Sequence, residues 1–459
     1  MHPSGMPCLV WAIWVNCADM RLTFLLLAFG STAALCCGAP PVFEQETAAA
    51  RRSGLRVLAG EHLTLVTDRP VREGDGLDDL TPLFDEAFTT WCDHFGIDAA
   101  QQRDWRAFGC LMVDRERFRA AGLLPTDGRI PEFKNGFCES DRFWLMDQSN
   151  PDYRRHLLLH EGVHAFTLTI RAADAPPWYT EGIAELLATH RLDRTDGRPR
   201  FVPTPIPRQA SDVEQLGRIE RLRSLREARA APSLSDVFAT PPTAHADLGA
   251  YAASWAAVAL LSLHPAHAGI FSAVEQGPLD AGFTRRLETT AGWDGTRAGR
   301  DFDAFIDDLD YGYDFSRSAI DWSTGRPLTG PQAITVAGDR GWQNSGWSLA
   351  TGERHSLTAT GRITVGQASA GHDASPPLML QSEADGISLR WYRGRPLGRL
   401  LAAQWVANPP DGGRPRFVVL AEGAAGDFTA VTDGPLYLKI NEPPGELADN
   451  TGTLTVTLQ

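Results

Sequence analysis

The run His160-Glu161-Gly162-Val163-His164 restricts the fold of this chain more than any other five residues. On a helix, residues four apart lie on one face, one turn from each other. Two imidazoles placed that way can reach a single Zn²⁺ at about 2.0–2.1 Å. Glu161 lies next to His160, close to such an ion without being a ligand. Leu157, Leu158, Leu159 and Phe166 surround the polar pair with core residues, so the helix is expected to be buried. Asn150-Pro151-Asp152 marks its start.

A catalytic metal needs a third protein ligand and one open position. Trp178-Tyr179-Thr180-Glu181-Gly182-Ile183-Ala184-Glu185 supplies a carboxylate. Glu181 is expected to open a second helix, after a turn containing Asp174, Pro176 and Pro177. Two antiparallel helices joined this way can bring Glu181 opposite the histidines. Glu185 follows one turn later on the same face, where it can hydrogen-bond the ring N–H of a ligating histidine. The plainer readings are a helix-start carboxylate favoured by the dipole for Glu181 and a solvated helix residue for Glu185.

HEGVHAF followed by WYTEGIAEL resembles the gluzincin metallopeptidases, in particular the bacterial peptidase-MA-like branch. The likeness extends from about Leu55 to Tyr313. It implies a mixed α/β metallopeptidase domain with Zn²⁺ on His160, His164 and Glu181, Glu161 as general base, and a peptide or protein substrate. Related enzymes use a Tyr or His to stabilise the oxyanion. Tyr251 and His245 are the candidates here, against a helix-packing residue and a loop histidine. His156, one turn before His160, is either a supporting group or an ordinary helix histidine. The resemblance also puts the strand Arg142 to Asp147 at the sheet edge beside the cleft, paired with an extended peptide. An acidic anchor for a substrate amine, as an aminopeptidase needs, is not recognised.

The chain has 459 residues, room for two or three domains. The expected fold class is multidomain α+β, a gluzincin-like mixed α/β domain followed by an all-β sandwich. Residues 1–39 are read as an export segment, 40–54 as a linker, 55–320 as the metallopeptidase-like domain, 321–331 as a second linker and 332–459 as the sandwich. Strands are expected at Leu63 to Thr67, Gly109 to Val113 and Phe143 to Met146. Helices are expected through Leu83 to Phe95, from Asn150, near Thr180, at about Leu248 to Leu263, and over Asp301 to Asp310. After Tyr313-Asp314 short alternating runs separated by Gly, Asn and Pro take over, as in a β-sandwich.

Within that tail, oxygen-bearing side chains at Asn441, Glu442, Glu446, Asp449 and Asn450 crowd one turn between two strands. Ca²⁺ takes six to eight oxygens; the alternative is a polar hairpin whose side chains satisfy its own backbone. NEPPGELADNTG, with Gly341-Trp342 and Arg395-Pro396-Leu397-Gly398-Arg399-Leu400, resembles the PA-I-type galactose-binding bacterial lectins, which are calcium-dependent sandwiches. That resemblance implies Ca²⁺ held by the side chains of Glu442, Asp449 and Asn450 and the carbonyl of Glu446, and a carbohydrate ligand. Glu442 stands where the family has Asp, and Asp449 where it has Asn.

The formal net charge is −14 and there is no basic block, so nucleic acid is not an expected partner. After Met20-Arg21, the apolar run Leu22 to Leu35 reads as a secretory signal, too short for a comfortable membrane span. Ala33-Ala34-Leu35-Cys36-Cys37 is a loose lipoprotein box. The expected location is therefore periplasmic, extracellular or lipid-anchored, with no stable transmembrane span after processing. Cys92, Cys110 and Cys138 form no CxxC pair and are expected to be buried apolar residues. The functional expectation is an exported zinc peptidase with a carbohydrate- or surface-binding appendage. The alternative is a non-catalytic envelope protein that uses a peptidase-like scaffold beside a calcium-binding lectin-like domain.

Overall fold

The structure, a computed structural model, describes residues 43–70, 72, 74–213, 217–242, 247–368 and 378–459. The expected export segment and His245 lie outside the described residues.

The chain enters through α1 (Glu44–Arg52), in the stretch expected to be a linker. Small residues suggested a spacer, but EQETAAARR is a good helix former, with acids in the first turn and bases in the last. Phe43 and Ala50 anchor this helix in a small core with Phe108, Cys110 and Trp144. The next elements are β1 (Arg56–Ala59), β2 (Leu63–Thr67), α2 (Leu80–His94), β3 (Ala107–Met112), α3 (Arg115–Ala120), β4 (Gly136–Glu139) and β5 (Arg142–Met146). Their sheet has the order β1-β2-β3-β5-β4. The pairs β2/β3 and β3/β5 are parallel; β1/β2 and β4/β5 are antiparallel. The expected edge strand, Arg142 to Asp147, is therefore interior. The edge beside the helices is β4, which the sequence reading passed over because Gly, Phe, Cys and Glu show no apolar alternation.

Two helices follow, α4 (Pro151–Ile170) and α5 (Pro177–Ala188). Asn150 caps α4 by accepting from the Tyr153 N–H at 2.8 Å, with Pro151 in the first turn. After the hairpin β6 (His190–Asp193) and β7 (Arg200–Pro203) come α6 (Arg218–Glu227), α7 (Leu234–Phe238), α8 (Leu248–Leu263), α9 (Ala268–Glu275), α10 (Phe283–Thr289), α11 (Gly295–Asp308) and α12 (Phe315–Ser318). Helix α5 lies against α8 at very short range: a Cβ on Gly182 would stand 2.5 Å from the Ser254 carbonyl oxygen. One core joins Phe84, Trp91, Phe166, Trp178, Trp255 and Phe302. Cys92 and Cys110 are buried free thiols, as expected, and Cys138 is half-buried.

The C-terminal part is all β: β8 (Arg326–Pro327), β9 (Gln332–Ala337), β10 (Gln343–Leu349), β11 (Arg354–Ala368), β12 (Leu378–Ser382), β13 (Asp385–Tyr392), β14 (Arg395–Val406), β15 (Arg416–Glu422), β16 (Ala425–Thr429), β17 (Gly434–Ile440) and β18 (Thr451–Leu458). One sheet runs β13-β14-β17-β10-β8 with β15 on β14; the other runs β12-β11-β18-β9 with β16 on β11. Alternation sets the faces. Leu436, Leu438 and Ile440 of β17 meet Leu454, Val456 and Leu458 of β18 inside the sandwich. Tyr437 and Lys439, on the other face of β17, are also buried, because the helical part covers them. The stretch 321–331, expected to be a linker, takes part in this junction. Trp322 packs on Trp405, Phe417 and Tyr437, and Arg326–Pro327 pairs with Trp347 and Ser348 of β10. Its tryptophan makes it a packed strap despite its Gly, Pro and Ser content. Asp308 binds both Lys439 and Arg393 across the junction, and Asp303 binds Arg414. Among the described residues, no single helix is long and apolar enough to cross a membrane.

Candidate metal centre

The histidines of α4 face Glu181 on the second turn of α5; the helix starts at Pro177, so Glu181 does not open it as expected. His160 Nε2 and His164 Nε2 are 3.1 Å apart. Glu181 Oε2 lies 3.3 Å from the first and 3.5 Å from the second. The corners of a tetrahedron whose bonds are about 2.0–2.1 Å are separated by about 3.3–3.4 Å. The three donor atoms thus have the spacing of one face of a tetrahedral metal site.

Electrostatics make the same demand. Burial opposes the charge on Glu181, but the two histidines outweigh it and hold the carboxyl far below the usual range. Burial opposes a charged His160 too, yet Glu181 and Glu185 push its pKa up to about 10. The pocket therefore calls for positive charge at this point, and a divalent cation answers that demand by displacing protons.

Glu185 is 2% exposed and lies behind His160, with Oε1 3.4 Å from Nδ1. It also meets His156 Nε2 at 3.2 Å. Arg218, the first residue of α6, donates to both oxygens of Glu185, from Nε at 2.9 Å and Nη2 at 2.5 Å. His156, His160 and Glu185 also have the proximity of a metal site. The guanidinium already neutralises that carboxylate, so Glu185 acts better as the partner that orients His160. Arg218 was not recognised in the sequence. It is 33 residues from Glu185, and no local pattern connects them.

Glu161 points from α4 toward β4 and is 6% exposed; burial raises its carboxyl pKa above the ordinary value. Tyr251, on α8, places its ring 6.2 Å from that of His160, with the Arg218 guanidinium 5.8 Å from its face. Burial, reinforced by Glu181 and Glu161, raises the phenol pKa, so the hydroxyl keeps its proton. A cleft lined by Pro177, Thr240, Pro241, Ala250 and Tyr251 opens on Glu181.

A third group, His264, His267 and Asp301, is also close enough for an ion. Asp301 there already meets His267 at 2.8 Å, accepts from Trp322 at 2.8 Å and has Arg297 at 3.6 Å. The Ala266 N–H points to His264 Nδ1 at 3.2 Å. That is a satisfied hydrogen-bond cluster with a cation beside it, a poor place for a second one.

In the sandwich, the turn after β17 brings Glu442 and Asn450 together. Both are buried, and the Asn450 amide donates to Glu442 Oε2 and, at 2.9 Å, to the Gly338 carbonyl. Among the described residues, Glu442 Oε1 and Asn450 Oδ1 are buried with no hydrogen-bond partner, an expensive arrangement for two acceptors. Burial, with Glu446 and Asp449 nearby, pushes the Glu442 pKa up to about 8. Glu446 turns its carboxylate to Arg390 at 2.5 Å, and Asp449 is exposed at the end of a short turn anchored by Leu447. Two orphaned oxygens and nearby carboxylates fit a hard cation.

No protein-family model and no curated protein matches the chain. Among solved structures it is similar to one described as "EclA N-terminal domain; PllA-like lectin". That match has 18% identity and a TM-score of 0.20, and covers 28% of this chain and 92% of the other.

Proposed function

We propose that the protein is an exported zinc-dependent peptidase whose C-terminal sandwich holds a calcium ion and binds carbohydrate or another surface. One observation carries the catalytic reading: His160, His164 and Glu181 present three donor atoms 3.1–3.5 Å apart, with Glu161 on the same helix. Zinc held there would supply a Lewis acid that acidifies water and polarises the scissile carbonyl. Glu161 takes a proton from the attacking water and delivers it to the leaving amine, a task that its burial-raised proton affinity favours. Tyr251 donates its retained proton to the developing oxyanion. Glu185, fixed by Arg218, holds His160 in the orientation that presents Nε2.

The sandwich reading rests on the orphaned oxygens of Glu442 and Asn450 and on the lectin-like turn in the sequence. Export rests on the apolar run Leu22 to Leu35.

The test is metal analysis of the full chain beside Glu161→Gln, both assayed on a diverse peptide library. The expected result is zinc in both proteins and cleavage by the wild type alone. Equal activity would remove Glu161 as the base. A wild type that holds zinc and cleaves nothing would make the fold a scaffold.

A further inference from the structure

We propose that Gly136 is a positioning residue for Glu161: the missing side chain on the edge strand is what leaves room for the carboxylate to stand beside the metal centre. This rests on the catalytic reading of Glu161 above.

Gly136 opens β4, directly against α4. A Cβ built there would lie 2.8 Å from Glu161 Cδ and 3.0 Å from Cγ, and closer still to Oε1. Real Cβ atoms essentially never come within 3.0 Å of a heavy atom outside their own residue and its chain neighbours. Any other residue at 136 therefore displaces the Glu161 side chain along its length, since the carboxylate carbon and the methylene before it are both in the way.

The backbone does not itself need glycine here. Gly136 is absent from the residues with positive φ, and its conformation is one that alanine adopts freely. The need lies in the space, and the three nearest atoms in it all belong to Glu161. Neither main chain can give way cheaply. Gly136 is in register with Leu145 of β5, and the neighbouring Asn135 carbonyl accepts from the Met146 N–H at 2.7 Å. Glu161 is in the middle of a twenty-residue helix whose neighbours Leu158, Leu159 and Val163 are fully buried. The flexible partner is the glutamate side chain, so a methyl group at 136 shifts the base and leaves the fold in place.

The rest of β4 fits this assignment. Its helix-facing positions, Gly136 and Cys138, are small, and Cys138 packs on the main core. Phe137 points to the opposite face, where it packs with Phe133 and the small core around Trp144. The strand is large on the side away from α4 and small on the side toward it. A misplacement of about 1 Å at a reacting group costs roughly 100-fold in rate, so the absent methyl is worth a large part of what Glu161 contributes.

The experiment compares full-length wild type, Gly136→Ala, Glu161→Ala and the double variant. Crystal structures, zinc content, melting temperature and peptide hydrolysis are the readouts. In Gly136→Ala we expect the Glu161 carboxylate to move by about 1 Å or more, zinc to stay at the wild-type stoichiometry, and kcat to fall about 100-fold with KM within about twofold. Any loss of melting temperature should disappear when Glu161 is Ala, because the three atoms nearest to that Cβ all belong to the Glu161 side chain. A carboxylate that has not moved overturns the proposal. So does unchanged kcat in spite of movement. A melting loss that persists in the Glu161→Ala background also overturns it, since glycine is then a requirement of the sheet. If the wild type cleaves no peptide, the catalytic reading falls, while the carboxylate position and the melting comparison still decide the role of Gly136.

Discussion

Arg218 grips both carboxylate oxygens of Glu185, 33 residues away in sequence, at 2.9 and 2.5 Å, and His160 Nδ1 lies 3.4 Å from one of the same oxygens. A buried acid held this way keeps its charge: burial opposes ionisation, but Arg218 and then His156 outweigh it and keep the Glu185 carboxyl well below the usual range. Arg218→Met should therefore loosen His160 and lower zinc affinity about 10- to 100-fold, with Glu161 untouched. Competition with a chelator measures it. Arg218→Lys should recover only part of the loss, since one ammonium cannot match the two-pronged contact. Wild-type affinity in Arg218→Met would separate Glu185 from the metal centre.

The paired orphan oxygens of Glu442 and Asn450 give a second expectation. Millimolar Ca²⁺ should raise the melting temperature of the full chain, as any ligand that binds only the folded state does. Glu442→Gln should abolish that rise and leave zinc content unchanged. A calcium-independent melting curve in the wild type would reduce the turn to a plain polar hairpin. The full chain is the right material, because Lys439 on β17 pairs with Asp308 of the helical part.

That contact gives the third. Asp308 faces both Lys439 and Arg393, and it is held below the usual carboxylate range by Lys439 and Arg393 although burial opposes this. Asp308→Asn strands a buried lysine and should cost about 3–5 kcal/mol in chemical denaturation. Lys439→Met should cost clearly less, because Arg393 still faces Asp308 at 3.0 Å. Equal losses from both variants would take Arg393 out of the account.

Acid stability gives the fourth. Burial pushes His264 down to about 4, with Asp301 only partly restoring it, against about 6.5 in an unfolded chain. Between these values the unfolded chain binds the extra proton, so stability rises with pH. The His264 contribution is complete above about pH 6.5 and is lost as pH falls toward 4. His190, pushed to about 3 by burial and Arg155, acts in the same direction. Denaturation midpoints of His264→Gln between pH 4 and 7 should show a shallower slope than the wild type. An unchanged slope would mean that His264 takes up its proton alike in the folded and unfolded chains.

Periodicity located the long helices because each depends on its own residues. The three-four spacing from Leu83 to Trp91 lies on α2, which Phe95 follows directly, and the strands expected at Leu63 to Thr67 and Phe143 to Met146 lie on β2 and β5. The same reasoning failed where composition and packing disagree. The alanines of α1 and the Gly-Pro-Ser stretch around Trp322 both read as spacers, yet one side chain in each, Phe43 and Trp322, finds an aromatic core far away in sequence.

By itself, the sequence determined that His160 and His164 share a helix face, since that follows from a four-residue spacing and the helical pitch. It also determined that β17 and β18 alternate, since successive side chains of a strand point to opposite faces. Only the tertiary structure decided that Glu181 meets both imidazoles, that Arg218 reaches Glu185, that β4 forms the edge, and that Gly136 stands against Glu161. Those contacts join different elements. Their distances are set by how helices and strands pack, and no short-range pattern records that.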